Sequence, residues 1–338
     1  MASAPEQPRP DRLAALRGRL RTLFHHCSAP AAPPIETLSR RELEGYVEEL
    51  VAYRNGEGEL VKAFALRPAG PGPFPGMVVH HQHNSEWHLG KSEVAGRAGV
   101  PLQALGPSLA RRGVAVLAPD TICFEDRRRN IGGILPRDDD RAQHYNEMSY
   151  RLVQGSLLMS RVVADAALAV SVLGGMTHVD SASIGAMGHS MGGHTVLFSA
   201  PLDDRVRFAC VSGAASGYRA RIADGTGIEV AQVIPAILSI TDFDGLLELI
   251  APRPLLVVSA DEDPYSRAAP AIVEGASRTY KALGADSLLE HARYRGGHAL
   301  TPERVSRMID WAVTTCQALR SRSRCHALST CSAIRSAE

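Results

Sequence analysis

Gly188-His189-Ser190-Met191-Gly192 sets a hydroxyl between two glycines, after the apolar run Ser183 to Met187 and before a helical stretch from Met191 to Ala200. A serine at such a strand-to-helix turn sits on a strained backbone, and only small residues two places before and after it let the neighbouring chain pass. Gly188 and Gly192 meet that demand. The turn aims the hydroxyl off the sheet edge and sets the first helical N–H, that of Met191, where an oxyanion would form. The implied chemistry is nucleophilic attack by Ser190. A hydroxyl is a poor nucleophile at its own pKa, so a base and an acid that orients it are expected downstream in the order Ser, Asp, His.

Two later segments supply them. Pro254 to Ala260 reads as a buried strand and runs into Asp261-Glu262-Asp263-Pro264. Asp263 is the expected acid in preference to Asp261, because Pro264 starts a turn that would hold its side chain at the sheet edge. Leu288 to Tyr294 reads as the next strand and ends in Arg295-Gly296-Gly297-His298, where two glycines free the loop to bring an imidazole over Ser190. Among 13 histidines, His298 alone has both the order and the strand-end position, and it is the expected base. The second oxyanion N–H is expected from the loop after an early strand; Gly76 to His80 is that strand and Gln82 the expected donor.

Other residues invite roles against which a plainer reading stands. His80, His81, His83 and His88 resemble zinc ligands in type, but neighbours along a strand face opposite sides and no carboxylate or thiolate completes a set, so neither metal nor organic cofactor is expected. Glu125 and Arg127 belong to a charged run after the strand Val114 to Ala118 and can lie near the same edge, although such runs are usually solvated faces. With Trp87 as a pocket wall, where an isolated Trp is more often packing, and His189 beside the serine, they are the candidate substrate contacts.

The elements that must position these groups follow from periodicity. From Gly76 onward short apolar runs, including Arg207 to Val211, alternate with helical stretches at Pro101 to Arg112, Glu147 to Leu173, Ala268 to Leu283 and Pro302 to Leu319. That alternation predicts an α/β fold with a doubly wound, mostly parallel sheet. Ahead of it, Tyr46 to Tyr53 and Leu60 to Leu66 flank Asn55-Gly56-Glu57-Gly58 and predict an N-terminal hairpin at a sheet edge. Residues 1–40 read as an N-terminal arm, 41–320 as the catalytic domain with a small cap or lid insertion near 214–249, and 321–338 as a disordered tail. No internal repeat is present.

Composition bounds the partners. The 338 residues are 45% hydrophobic and 22% charged, ordinary globular usage. Lys and Arg number 37 against 36 Asp and Glu, which leaves no field to draw nucleic acid or an anionic membrane, and a small-molecule partner is the expectation, with a homo-oligomer allowed. Six cysteines without CxxC spacing, and an N-terminus lacking a long apolar stretch, suit reduced thiols in a cytoplasmic protein.

Four segments together, Leu109 to Asp120, Gly188 to Gly193, Leu249 to Leu256 and Gly296-Gly297-His298, resemble the dienelactone hydrolase and acetyl xylan esterase-like branch of the α/β-hydrolases. The resemblance covers about Gly76 to Glu303. Relatives often carry glycines after the histidine of the oxyanion loop, where this chain has Gln82-His83-Asn84 after His81. The resemblance implies a serine esterase acting on a carboxylic ester, lactone or thioester. Acyl transfer with the same three residues, or a binding protein that has lost turnover, are the rival expectations.

Overall fold

Runs buried on both faces build the centre of a nine-stranded sheet. The computed structural model describes residues 10–25, 29–129 and 132–335, with side chains from Asp11 to Ser321. The first half of the chain forms α1 (Pro10–Leu23), β1 (Glu36–Leu43), β2 (Tyr46–Arg54), β3 (Leu60–Pro68), β4 (Phe74–His80), α2 (Lys91–Val94), α3 (Leu105–Arg111), β5 (Ala115–Pro119), α4 (Asp140–Val153) and α5 (Leu158–Gly174). Then come β6 (Val179–His189), α6 (Met191–Ser199), β7 (Phe208–Ser212), α7 (Tyr218–Asp224), α8 (Phe243–Glu248), β8 (Leu255–Ala260), α9 (Ala269–Ala282), β9 (Leu289–Tyr294) and α10 (Pro302–Arg335). The sheet order is β1-β2-β3-β5-β4-β6-β7-β8-β9. β1, β2, β3 and β5 pair antiparallel, whereas β5, β4 and β6 through β9 run parallel, as the alternating pattern predicts.

Every residue of β5, β7 and β8 is buried, because helices cover both faces. One face packs against α1, α5, α6, α8 and α9, and the other against α3 and α10 through Met308, Ile309, Trp311 and Ala312. Each fully buried large aliphatic or aromatic side chain there contributes about 1.5–3 kcal/mol. Among the described residues no single helix is long and apolar enough to cross a membrane; α4 and α5 reach that together but meet at 103°. Cys123, Cys210 and Cys316 are buried and free, and Cys27 lies outside the described residues.

Three local expectations are revised. The single helix over Glu147 to Leu173 is two, because Gly155 at φ +74° ends α4 with a bond from Ser156 N–H back to the Arg151 carbonyl. The arm assigned to 1–40 ends inside β1, a strand exposed along nearly its whole length and therefore without an apolar alternation to reveal it. The arm carries α1, as the helical spacing of Leu13, Leu16, Leu20 and Phe24 predicts; Leu16, Leu20 and Phe24 enter the core while Arg17 donates to the carbonyls of Pro201 and Leu249. Lastly, α10 continues to Arg335 through the segment expected as a disordered tail, a stretch with no Gly or Pro to stop a helix.

Candidate active site

Ser190 occupies the turn between β6 and α6 at φ +56° and ψ −122°, a region that costs a non-glycine residue about 1–3 kcal/mol. The close approach that demands glycine is visible on both sides: a Cβ on Gly188 would sit 2.2 Å from the Gly192 carbonyl carbon, and one on Gly192 only 2.1 Å from the His80 carbonyl oxygen. The second contact also means that the end of β4 touches the start of α6. The His81 carbonyl oxygen lies 2.8 Å from the same Cβ position, so this loop passes close to the residue two places after the serine.

The loops after β8 and β9 bring the other two groups to this point. Ser190 Oγ donates to His298 Nε2 at 2.8 Å, and His298 Nδ1 donates to Asp263 Oδ1 at 2.9 Å. Asp263 is almost fully buried and also accepts from Tyr265 N–H and Ser266 Oγ. Burial alone would raise its carboxyl, but the bond and charge of His298, with Ser266 and Tyr265, outweigh burial and hold it below the usual carboxylate range. Asp261 does different work: its Oδ1 accepts from Gly296 N–H at 2.8 Å and ties the histidine loop to the end of β8. The imidazole of His298 keeps 26% exposure, so a ligand can reach it.

No local pattern marks Arg304, in the first turn of α10. Its guanidinium is buried and donates to the carbonyls of Arg295, Gly297 and Ala299, which clamps the His298 loop from behind. Only the folded loop, with three carbonyls turned one way, makes that role legible.

Three of the four candidate substrate contacts are corrected, and the fourth is redefined. Glu125 is buried, accepting from Lys91 Nζ, Ser92 N–H and Ser92 Oγ, so it has no free oxygen to offer a substrate. Arg127 is buried as well and spends its guanidinium on Glu59, Asp165 and the Asp120 carbonyl. His189 lies beneath the surface, with Nδ1 3.0 Å from Ser212 Oγ and its ring 4.8 Å from that of His298. Burial, with the neighbouring His298, lowers the His189 imidazole to about 3, so it is a neutral ring behind the base and not a substrate contact. Trp87 is half-buried; its indole N–H donates to His144 Nδ1 at 3.0 Å and its ring meets His83 edge-on.

The side chain of Gln82 is committed too, donating to Glu93 and accepting from Gln103. Any oxyanion role falls to its backbone N–H. Met191 is buried at the first position of α6, where the helix N-terminus adds favourable potential for an anion.

Among the suggested histidine ligands, His81 is already satisfied: Nε2 accepts from Thr121 N–H and Nδ1 donates to the Gln82 carbonyl. Two groupings do bring metal-type atoms within 4.8 Å of one another. In Asp120, Glu125 and Asp126 the place of a cation is held by the Lys91 ammonium, bonded to all three. In His83, His144 and Glu229 both imidazoles accept a hydrogen bond at Nδ1, from Ser85 N–H and Trp87 Nε1–H. Each neutral ring therefore carries its proton on Nε2, a donor and not a metal ligand.

No protein-family model matches the chain. YtaP of Bacillus subtilis (strain 168), a candidate hydrolase, is 29% identical over 179 residues, which are 52% of this chain and 56% of that protein. The match thus spans about half of each. A candidate acetyl xylan esterase from Bacteroides fragilis NCTC 9343 superposes with a TM-score of 0.69 over 83% of this chain and 74% of that one, at 14% identity. A glucuronoyl esterase from Solibacter usitatus gives 0.62 over 88% and 92% at 14% identity. An acetyl xylan esterase from Paenibacillus sp. R4 gives 0.60 over 91% and 96% at 17%. At such identities the likeness speaks for the fold, and that fold is the α/β-hydrolase fold.

Proposed function

We propose that this α/β-hydrolase-fold chain is a serine hydrolase that cleaves a carboxylic ester, or a related lactone or thioester, of a small molecule. The observation that carries the reading is the unbroken chain of hydrogen bonds from Ser190 Oγ through His298 to Asp263, built from three separate loops. The esterases among the structural neighbours and the hydrolase relative support the same reaction class.

In the first step His298 Nε2 takes the Ser190 proton while Oγ bonds to the acyl carbon, and the carbonyl electron pair moves to oxygen. The Met191 N–H and the backbone N–H at Gln82 are the two donors proposed for that oxygen. Collapse of the tetrahedral species expels the leaving oxygen or sulfur, which takes the proton back from the imidazolium. Water then repeats the sequence on the acyl-serine and frees the acid. Asp263, held anionic, keeps the Nδ1–H tautomer and stabilises the imidazolium. The insertion over 214–249, which carries α7 and α8, is proposed as the cover of this edge.

The reading is tested by fluorophosphonate labelling and by turnover on a panel of esters, lactones and thioesters. Labelling at Ser190 with hydrolysis of at least one class is expected. A natively folded enzyme that neither labels at Ser190 nor turns over any of them would end the proposal.

A further inference from the structure

A gap in the hydrogen bonding beside α6 is filled by one particular chemistry. His144, on α4, is buried, and because an indole N–H can only donate, its bond from Trp87 fixes the proton of the imidazole on Nε2. Burial lowers His144 to about 3 and His83 to about 4, so both rings are neutral. The His144 Nε2–H faces Glu229 Oε1 at 3.9 Å, too far for a direct bond. That oxygen of Glu229 is buried without a partner, although the other accepts from Ala231 N–H; burial raises the carboxyl to about 7, so above that pH the oxygen is an open acceptor.

Between them lies a narrow cavity that takes about one water-sized group, lined also by Thr121, Met191, His194 and Thr195. His194, 3% exposed, also lines it, with Nε2 engaged by Arg221. A donor and an acceptor separated by this distance are both satisfied by a single oxygen that accepts from the one and donates to the other, lying to one side of the line between them. Water and an alcohol are the groups with that property. Met191, the residue that follows Ser190, lines the cavity together with His194, which sets it against the first turn of α6. Trp87 and His83 are only half-buried, so that side of the cluster reaches solvent.

We infer that His144 and Glu229 form a hydroxyl-binding subsite beside Ser190, which receives a hydroxyl group of the substrate. The inference rests on the reading of Ser190 as the nucleophile and goes past it to the substrate class, a hydroxylated ester. An apolar isostere in this place leaves an N–H donor and a carboxylate oxygen buried and unsatisfied, which is the strongest form of selection a small pocket has.

Two pairs of esters that exchange one hydroxyl for a methyl test it: methyl glycolate against methyl propionate for the acyl side, and 2-hydroxyethyl acetate against propyl acetate for the alcohol side. Each compound is measured by kcat/KM and by competition with fluorophosphonate labelling of Ser190, so that one which turns over slowly still reports. The hydroxylated member of one pair is expected to win by about tenfold or more. In His144→Phe and in the milder Glu229→Gln that ratio falls toward one. Ratios near one for both pairs in the parent enzyme mean that the oxygen there is a fixed water only, and they overturn the subsite. A preference that survives in both variants overturns it equally. Failure of Ser190 to label at all is a different result, and it strikes the nucleophile assignment instead.

Discussion

Two charged clusters stand at the carboxyl edge of the same sheet and are put to opposite uses. After β8 and β9, Asp263 and His298 form a chain that ends on a half-buried hydroxyl, and one member, the imidazole, keeps exposure to solvent. Around β5, Asp120, Glu125 and Asp126 surround Lys91 Nζ at 2.8, 2.5 and 2.8 Å, with Lys91, Asp120 and Glu125 all nearly inaccessible. The carboxylates raise the Lys91 ammonium against the opposing effect of burial, so it stays charged. In the first cluster a proton has somewhere to go; in the second every charge is spent on a neighbour. A functional group is recognised by the bond it has left open, and charge near a sheet edge is not enough.

That contrast can be broken experimentally, and the largest effect is expected at the serine. Ser190→Ala should lower kcat on any ester substrate by about 10⁶-fold with an unchanged unfolding midpoint. Ester turnover and a urea melt on the same sample check both halves. Asp263→Asn should cost about 10⁴-fold in kcat, since the amide favours the wrong imidazole tautomer, again with little loss of stability. Retention of most activity would separate Asp263 from the mechanism.

The other cluster should respond the opposite way. Lys91→Met strands three carboxylates and is expected to remove about 3–5 kcal/mol of stability by urea unfolding, while fluorophosphonate labelling of Ser190 persists wherever the variant is folded. A smaller effect sharpens the line between buried charge that is paired and buried charge that is not. Burial raises Glu93 from 4.5 to about 7, more than its bonds from Gln82 and Val100 lower it. The native state therefore holds a proton that the unfolded chain releases above pH 4.5, and this contribution to stability is lost as pH rises through 7. Relative to Glu93→Gln, the parent protein should lose about 2–3 kcal/mol between pH 5 and pH 8. Parallel urea midpoints across that range would refute the assignment.

Chain order and local pattern made much of this readable in advance. The nucleophile turn is short-range, since Gly188, Ser190 and Gly192 all act within five residues, and the strands before Asp263 and His298 announce themselves as apolar runs because both faces of a central strand are buried. The order of Ser190, Asp263 and His298 was readable for the same reason. β1 was not, since an edge strand paired on one side needs no apolar pattern; nor was the role of Arg304, whose partners are carbonyls that any residue carries.

What one dimension determined about this protein is which residue types end which strands, because burial and turn geometry write themselves into local composition. Which of those residues remain free was decided only when distant segments closed on one another. Lys91, 29 and 34 residues before Asp120 and Glu125, took both carboxylates out of reach of a ligand, while His144 and Glu229, 85 positions apart, came to face each other at 3.9 Å. Hydrogen bonds between remote side chains leave no period in the chain, so that part of the chemistry exists only in the fold.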